Sequence, residues 1–411
     1  MRLSALRLGE AHRRRLMAAT RWWRSRQRMC AQMVVLTMLG GLNGCHAQKP
    51  DWPLWSAYTA RFVDQQGRVI DHSAQDRTTT EGEAYAMFFA LVANDRDRFD
   101  KLVDWTENNL AQGDLTLHLP AWSWGKGPDG GWRVLDPNPA ADADLWMAYS
   151  LCEAGRLWGV DRYAKLGRLM ASMVEHQEIV LIPNVGTTMI PGAQGFHPDP
   201  TTWYLNPSYL TPEILAYFAH EEPLSPWKQV LESVPGIVAT PGGFAMDWVK
   251  AGEFGVKPSA TPAAEQDAAS RNQAGASARG SFDAIRVYLW LGMADAKTPG
   301  VRESLAALPG MRVWLMTHPA PPLAVDDMGK GIQPDSPPGF SAAVIPYLHA
   351  VGAKQLAQQQ ADRLAATRDM HSGLYGHDPD YFGQNLALFS TGWSEHRFRF
   401  NAEGKLSVKW K

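Results

Sequence analysis

The chain has 411 residues, enough to bury a large core as one big domain or two smaller ones. A formal charge of −2 and 20% charged residues exclude a global electrostatic case for nucleic acid or an anionic membrane as partner. The 17 tryptophans are unusual: many sit beside Gly, Pro or Asn, where a large flat face can plug a core or receive a ring-shaped ligand.

In chain order, the first segment reads as a targeting signal over 1–47. Arg13, Arg14, Arg15, Arg24, Arg26 and Arg28 precede an apolar stretch from Met29 to Leu42, followed by small residues and "GCHAQ". The apolar run is short for a membrane span. Cleavage after Ala47 is the simplest reading; "LNGC" offers lipidation at Cys45 as the alternative, and an uncleaved anchor is a third. Cleavage leaves Cys152 as the remaining cysteine, with no intramolecular disulfide. The expectation is a periplasmic or secreted protein with no stable membrane insertion after processing.

Residues 48–411 read as helix after helix. Runs with apolar residues at helical spacing begin near Trp52, Glu81, Arg96, Asp142, Arg162, Pro207, Trp227, Ser281, Pro299, Phe340, Lys354 and Tyr381, about twelve in all. Short strands are expected at "EIVLIP" and "LSVKW". The runs at Glu81, Asp142 and Ser281 are apolar nearly all round, whereas those at Arg96, Arg162 and Lys354 carry charge on one face. All-round apolar helices belong inside and amphipathic ones outside. Their alternation predicts an all-α fold, an (α/α)6 barrel of six helical hairpins forming a single domain. A mobile loop is predicted at about 255–280, where "GVKPSATPAAEQDAASRNQAGASARG" lacks aromatics.

The three most apolar helices each carry acid in or just before the first turn: Glu81, the pair Asp142 and Asp144, and Asp283. Inner helices of such a ring run the same way, so these acids are expected to meet at one mouth. Capping and dipole complementarity alone would also place acids there. In "TEGE", Thr80 and Glu83 have capping-box spacing, leaving Glu81 free, and Gly82 is expected to let a ligand come close. Two carboxyls across a cleft suit glycoside hydrolysis, one protonated to donate to the leaving oxygen and one ionised toward water or the sugar. A helix N-terminus favours the charged form, so a proton-donating Glu81 needs aromatic or acidic neighbours. Trp122, Trp124 and Trp132 precede the Asp142 helix, Tyr204, Asn206 and Tyr209 precede another inner run, and Tyr381 and Asn385 open the last. Together they are candidate subsites for a linear sugar chain. No HExxH, Cys cluster, phosphate loop or GxSxG is found, so no metal and no cofactor is expected.

"TTTEGEAYAMFFAL", "PAADADLWMAYSLCEAGRLW" and "GSFDAIRVYLWLGM" resemble the signature regions of glycoside hydrolase family 8. The resemblance covers about 52–393 and is closest to the periplasmic endo-β-1,4-glucanases that accompany bacterial cellulose synthase. It implies an inverting enzyme with Glu81 as general acid, Asp283 as general base, and Asp142 as a third catalytic residue that binds the sugar at the cleavage point and assists both, with Asp144 beside it. Ala141 stands where the family usually has Ser or Thr, which removes a hydroxyl that could orient Asp142. Arg286, one turn after Asp283, is expected to keep the base ionised. The implied partner is a β-1,4-glucan chain, with the synthase complex as a further one. Chitosanase, xylanase and mixed-linkage glucanase are the near alternatives. A glucan-binding, export-assisting protein and a polysaccharide lyase are the distant ones.

Overall fold

The computed structural model of the chain describes residues 51–263, 277–333 and 335–411. Six of its helices are buried on nearly every face: Thr80–Val92, Ala141–Trp158, Pro212–Glu221, Ala284–Met293, Pro338–Ala350 and Tyr381–Ser394. Each packs on the next, and the last returns to the first, closing a ring. Against them lie Pro53–Phe62, Arg96–Asn109, Asp161–Glu178, Trp227–Val238, the short pair Val301–Ala307 and Gly310–Leu315, and Lys354–Ala366. Arg96–Asn109 shows the outer type: it buries Phe99, Leu102, Val103, Trp105 and Thr106 and leaves its charges to solvent. The predicted all-α (α/α)6 barrel is therefore present, with Pro53–Phe62 covering Tyr381–Ser394 so that the first and last described helices complete the circle.

Every inner helix is preceded in the chain by an outer one, so inner N-termini share one end. Below that end the barrel axis is filled by rings. Tyr85, Phe88, Trp146, Trp290 and Phe389 come from four inner helices and meet at centroid distances of 5.0–6.0 Å. The opposite end is plugged by the C-terminal hairpin of Phe398–Phe400 and Leu406–Val408. Phe398 packs edge-on against Phe88 at 5.1 Å, Tyr149 Oη donates to Gly404 O at 2.8 Å and Trp410 Nε1 donates to Leu91 O at 3.1 Å.

Small residues set one hairpin's spacing. A Cβ on Gly167 would lie 2.6 Å from Ala148 O and from Cys152 Sγ, so Ala141–Trp158 and Asp161–Glu178 approach through glycine. This antiparallel pair brings the end of the second helix, Glu178, beside the start of the first.

Strands Ile179–Ile182 and Leu406–Val408 lie where expected. Sequence periodicity missed the small antiparallel sheets that lead into the inner N-termini, such as Thr78–Thr79 with Ser123–Lys126 and Trp132–Asp136. Gly255–Ser259, expected within a mobile loop, instead pairs with Trp248–Gly252, which pairs in turn with Thr202–Leu205. Residues 264–276 of that loop, the targeting segment 1–47 and Cys45 lie outside the described residues. The run expected from Pro207 is a 3-10 turn, Pro207–Tyr209, followed by Pro212–Glu221, because Pro212 is suited to a helix's first turn and not to its interior. Among the described residues no helix is long and apolar enough to cross a membrane.

Candidate active site

Glu81, Asp142 and Asp283 do meet at the mouth. Arg286, 4% exposed, makes the join: Nη1 donates to Asp142 Oδ2 at 2.8 Å and to Tyr85 Oη at 3.1 Å, while Nη2 donates to Asp283 Oδ1 at 2.8 Å. One planar guanidinium thus clamps carboxylates from two inner helices, a geometry lysine cannot reproduce. The Arg286–Asp283 pair was expected from one-turn spacing; the second arm, to Asp142, has no local sequence signal.

Glu81 sits half-buried on the third helix of the site. Trp122 Nε1 lies 3.2 Å from both of its carboxyl oxygens. The same residue fixes the helix start, since Trp122 O accepts from Thr80 N at 3.0 Å, and Trp122 N donates to Asn138 O at 2.8 Å. Tyr381, 9% exposed, completes the wall, its hydroxyl 3.3 Å from Thr79 Oγ1. A Cβ on Gly82 would meet Tyr381 Oη at 2.9 Å. The missing side chain therefore admits the Tyr381 ring; it does not open space for a ligand as expected. Aromatic rings thus stand against Glu81, and the carboxyls of Asp142 and Asp144 lie within its electrostatic reach.

The expected capping box is absent. Thr80 N is taken by Trp122 O, and Glu83 Oε1 accepts from Val69 N at 2.7 Å. Glu83 is fully buried, and burial pushes its pKa well up. It ties the helix to the preceding loop, a tertiary bond that overrides the local pattern.

Three residues expected at the substrate are buried. Asp142 is 1% exposed, with Oδ1 on Ala143 N and Oδ2 on Arg286, so it orients the guanidinium. That ion pair supplies the orientation that a hydroxyl at Ala141 would have given. Burial raises the Asp142 pKa; Arg286 opposes this, and the charges of Glu81 and Asp283 add to it. Asp144 is 0% exposed. Two residues on from Asp142 is about 200° round a helix, which turns it from the mouth into the barrel wall. Asn206 is 2% exposed and caps the Pro207–Tyr209 turn, accepting from Ser208 N and Ser208 Oγ.

Of the aromatic candidates, Trp122 is at Glu81. Trp124 and Trp132 stack on each other at 4.8 Å, with the Arg68 guanidinium 4.6 Å from each ring. Trp132 keeps 41% of its surface exposed. Tyr204 is half-buried in strand Thr202–Leu205, paired across from Lys250. Tyr209 lies under Arg286, 5.6 Å from ring centroid to guanidinium.

Sequence reasoning missed four residues. Tyr85 follows Glu81 by one turn and was detectable by that spacing. Phe282, 48% exposed beside Asp283 and packed on Phe340 and Phe382, hid inside an apolar motif. Asp247 gave only a weak signal, a lone acid in "FAMDWV". Burial, with the charge of Asp283, pushes its pKa up to about 7, while backbone donors pull it back. The fourth is Glu178. It and Asp144 are both fully buried, and none of their carboxyl oxygens has a hydrogen-bond partner among the described residues. Burial raises the Glu178 pKa well up, and the charges of Asp144 and Asp142 add to it.

That pair has a stability consequence. A carboxyl whose pKa rises on folding holds a proton that the unfolded chain releases. Stability is therefore fullest below the unfolded value near pH 4 and falls as pH climbs toward the folded value. Glu178→Gln keeps the shape without the charge and should melt about 1–3 °C above wild type at pH 8, the gain vanishing near pH 4. Equal melting differences at the two pH values would show that Glu178 is not protonated in the fold.

A family model described as "Glycosyl hydrolases family 8" matches residues 27–396. An endoglucanase of Xanthomonas axonopodis pv. citri (strain 306) is 41% identical over 367 residues, covering 88% of this chain and 90% of that protein. An endoglucanase of Escherichia coli (strain K12) is 38% identical over 362 residues, covering 87% and 91%. The crystal structure of endo-1,4-D-glucanase from Vibrio fischeri ES114 superposes with a TM-score of 0.78 at 34% identity, covering 88% of this chain and 99% of that one. With its barrel, its clamped acids and a match along most of its length, the chain belongs to glycosyl hydrolase family 8.

Proposed function

We propose that the protein is an endo-β-1,4-glucanase that hydrolyses internal bonds of cellulose chains by inversion at the anomeric carbon. The observation that carries this reading is the contrast between two carboxyls at one mouth. Glu81 meets an indole N–H and faces other acids; Asp283 is held in the fork of a buried guanidinium. Glu81 gives its proton to the glycosidic oxygen as the bond to the anomeric carbon breaks. A water attacks that carbon from the opposite face and passes its proton to Asp283. Asp142 acts through Arg286, holding the guanidinium that orients Asp283. Trp122 and Tyr381 wall the acid side, and Trp132 and Tyr204 offer rings along the approaches. The reaction uses two carboxyls and a water and needs no other group.

The substrate assignment is supported by the name endoglucanase on the relatives at about 40% identity. The basic-then-apolar N-terminal segment supports export to the periplasm or beyond. Resemblance to the glucanases that accompany cellulose synthase supports a place beside cellulose synthesis, with nascent glucan as substrate.

The test is product analysis on carboxymethyl cellulose, chitosan, xylan and mixed-linkage glucan, with proton NMR of the first anomer formed. Expected are cleavage of carboxymethyl cellulose in preference to the rest and α-anomer ahead of mutarotation. A β-anomer appearing first would contradict inversion, and preference for chitosan or xylan would move the specificity within the family.

A further inference from the structure

Asp283 occupies the residue before helix Ala284–Met293, the position whose side chain ordinarily caps the free N–H groups of the first turn. It does not do so. Its carboxylate is turned to Arg286, and the helix has no side-chain cap from its own N-cap residue. Using Asp283 for chemistry leaves the capping duty vacant, and an unmet buried N–H is destabilising.

The duty is met from another part of the chain. Asp247 Oδ1 accepts from Ser281 N at 2.7 Å, Ala284 N at 2.9 Å and Asp283 N at 3.1 Å. Asp247 is 6% exposed, and its own N–H donates to Arg279 O at 2.8 Å. On its other oxygen, Arg279 Nε stands 3.5 Å from Oδ2. One carboxylate oxygen thus holds the whole turn that presents Asp283, including the peptide N–H of Asp283 itself. Asp247 directly precedes the hairpin of Trp248–Gly252 and Gly255–Ser259, so the base is fixed to a sheet as well as to its own helix.

We infer that Asp247 is a positioning residue for the general base, acting through the backbone of Asp283. This rests on Asp283 being the base. Three hydrogen bonds to one backbone turn set where the Asp283 carboxylate stands relative to the attacking water, and misplacement by about 1 Å can cost on the order of 100-fold in rate. Because Asp247 is 6% exposed and acts through the backbone of Asp283, its loss is expected in kcat and not in KM.

The experiment compares Asp247→Ala, Asp247→Asn and Asp283→Asn on carboxymethyl cellulose, with melting temperatures for each. Asp247→Ala should lower kcat about 10- to 100-fold with KM within about threefold of wild type. Asp247→Asn retains Oδ1 as acceptor and should return kcat to within about threefold of wild type. Should the alanine variant not fold, Asp247→Ser, with a shorter acceptor, takes its place and should fall between the two. Wild-type kcat in the alanine or serine variant overturns the inference, as does equal kcat loss in Asn and Ala variants that melt like wild type. Asp283→Asn separates the two readings. If it stays active, the assignment of the base fails; if it is inactive while Asp247→Ala is not, only the role of Asp247 fails.

Discussion

Glu81→Gln should lower kcat on carboxymethyl cellulose by about 10³-fold while leaving KM within about threefold, the range expected for loss of a positioned general acid. The variant is conservative by geometry. Trp122 Nε1 is a donor only, and the glutamine Oε1 accepts it as either Glu81 oxygen does at 3.2 Å. Thr80 N keeps Trp122 O, so the start of the helix does not move. What is lost is a transferable proton, which matters in proportion to how poorly the leaving group departs unaided. An aryl cellobioside with an acidic phenol needs little protonation, and on it the loss should shrink to about tenfold or less. An equal loss on both substrates would assign Glu81 to binding or folding. A wild-type protein that binds cellulose yet releases no reducing ends would favour the glucan-binding alternative.

The parts of this fold that could be read from sequence are those written in hydrophobic periodicity. "AYAMFFALVA" is apolar on every face and becomes an inner helix, while the run from Arg96 carries charge on one face and becomes a cover. Alternation of the two kinds gave the ring, and the ring gave the meeting of Glu81, Asp142 and Asp283. Residues whose partners are distant in sequence were not legible. Glu83 has capping-box spacing from Thr80, but Val69 N and Trp122 O offer tertiary bonds that displace the local ones. Gly82 marks a close approach correctly, yet nothing local says that the approaching group is Tyr381. Asp142 and Asp144 look equivalent in "DAD" until helical rotation sends one to Arg286 and the other into the wall with Glu178. Asp247 gives little signal because a cap supplied across more than 30 residues leaves no spacing rule.

The largest combined effect on stability and rate is expected at Arg286. Replacing it by Met retains much of the volume and removes the only cation that the described residues place between Asp142 and Asp283. Asp142 is almost wholly buried and Asp283 only 33% exposed in its side chain. Removing one partner of a buried ion pair typically costs about 3–5 kcal/mol, since the charge left behind has lost both water and counterion. The pair escapes part of this cost by binding a proton, which is the wrong state for a base. Arg286→Met should therefore lose about 3 kcal/mol in urea unfolding at pH 7 and at least about 10²-fold in kcat. Asp142 should then hold its proton more tightly, because Arg286 is the cation that lowers its pKa. Arg286→Lys distinguishes charge from fork. An ammonium restores a point charge but cannot donate along two parallel lines to two helices and also reach Tyr85 Oη. It should recover more than half of the lost stability while kcat stays about tenfold or more below wild type. Full recovery of kcat by lysine would mean that charge alone matters. An Arg286→Met variant as active as wild type would remove the clamp, and Asp142 with it, from the account of catalysis.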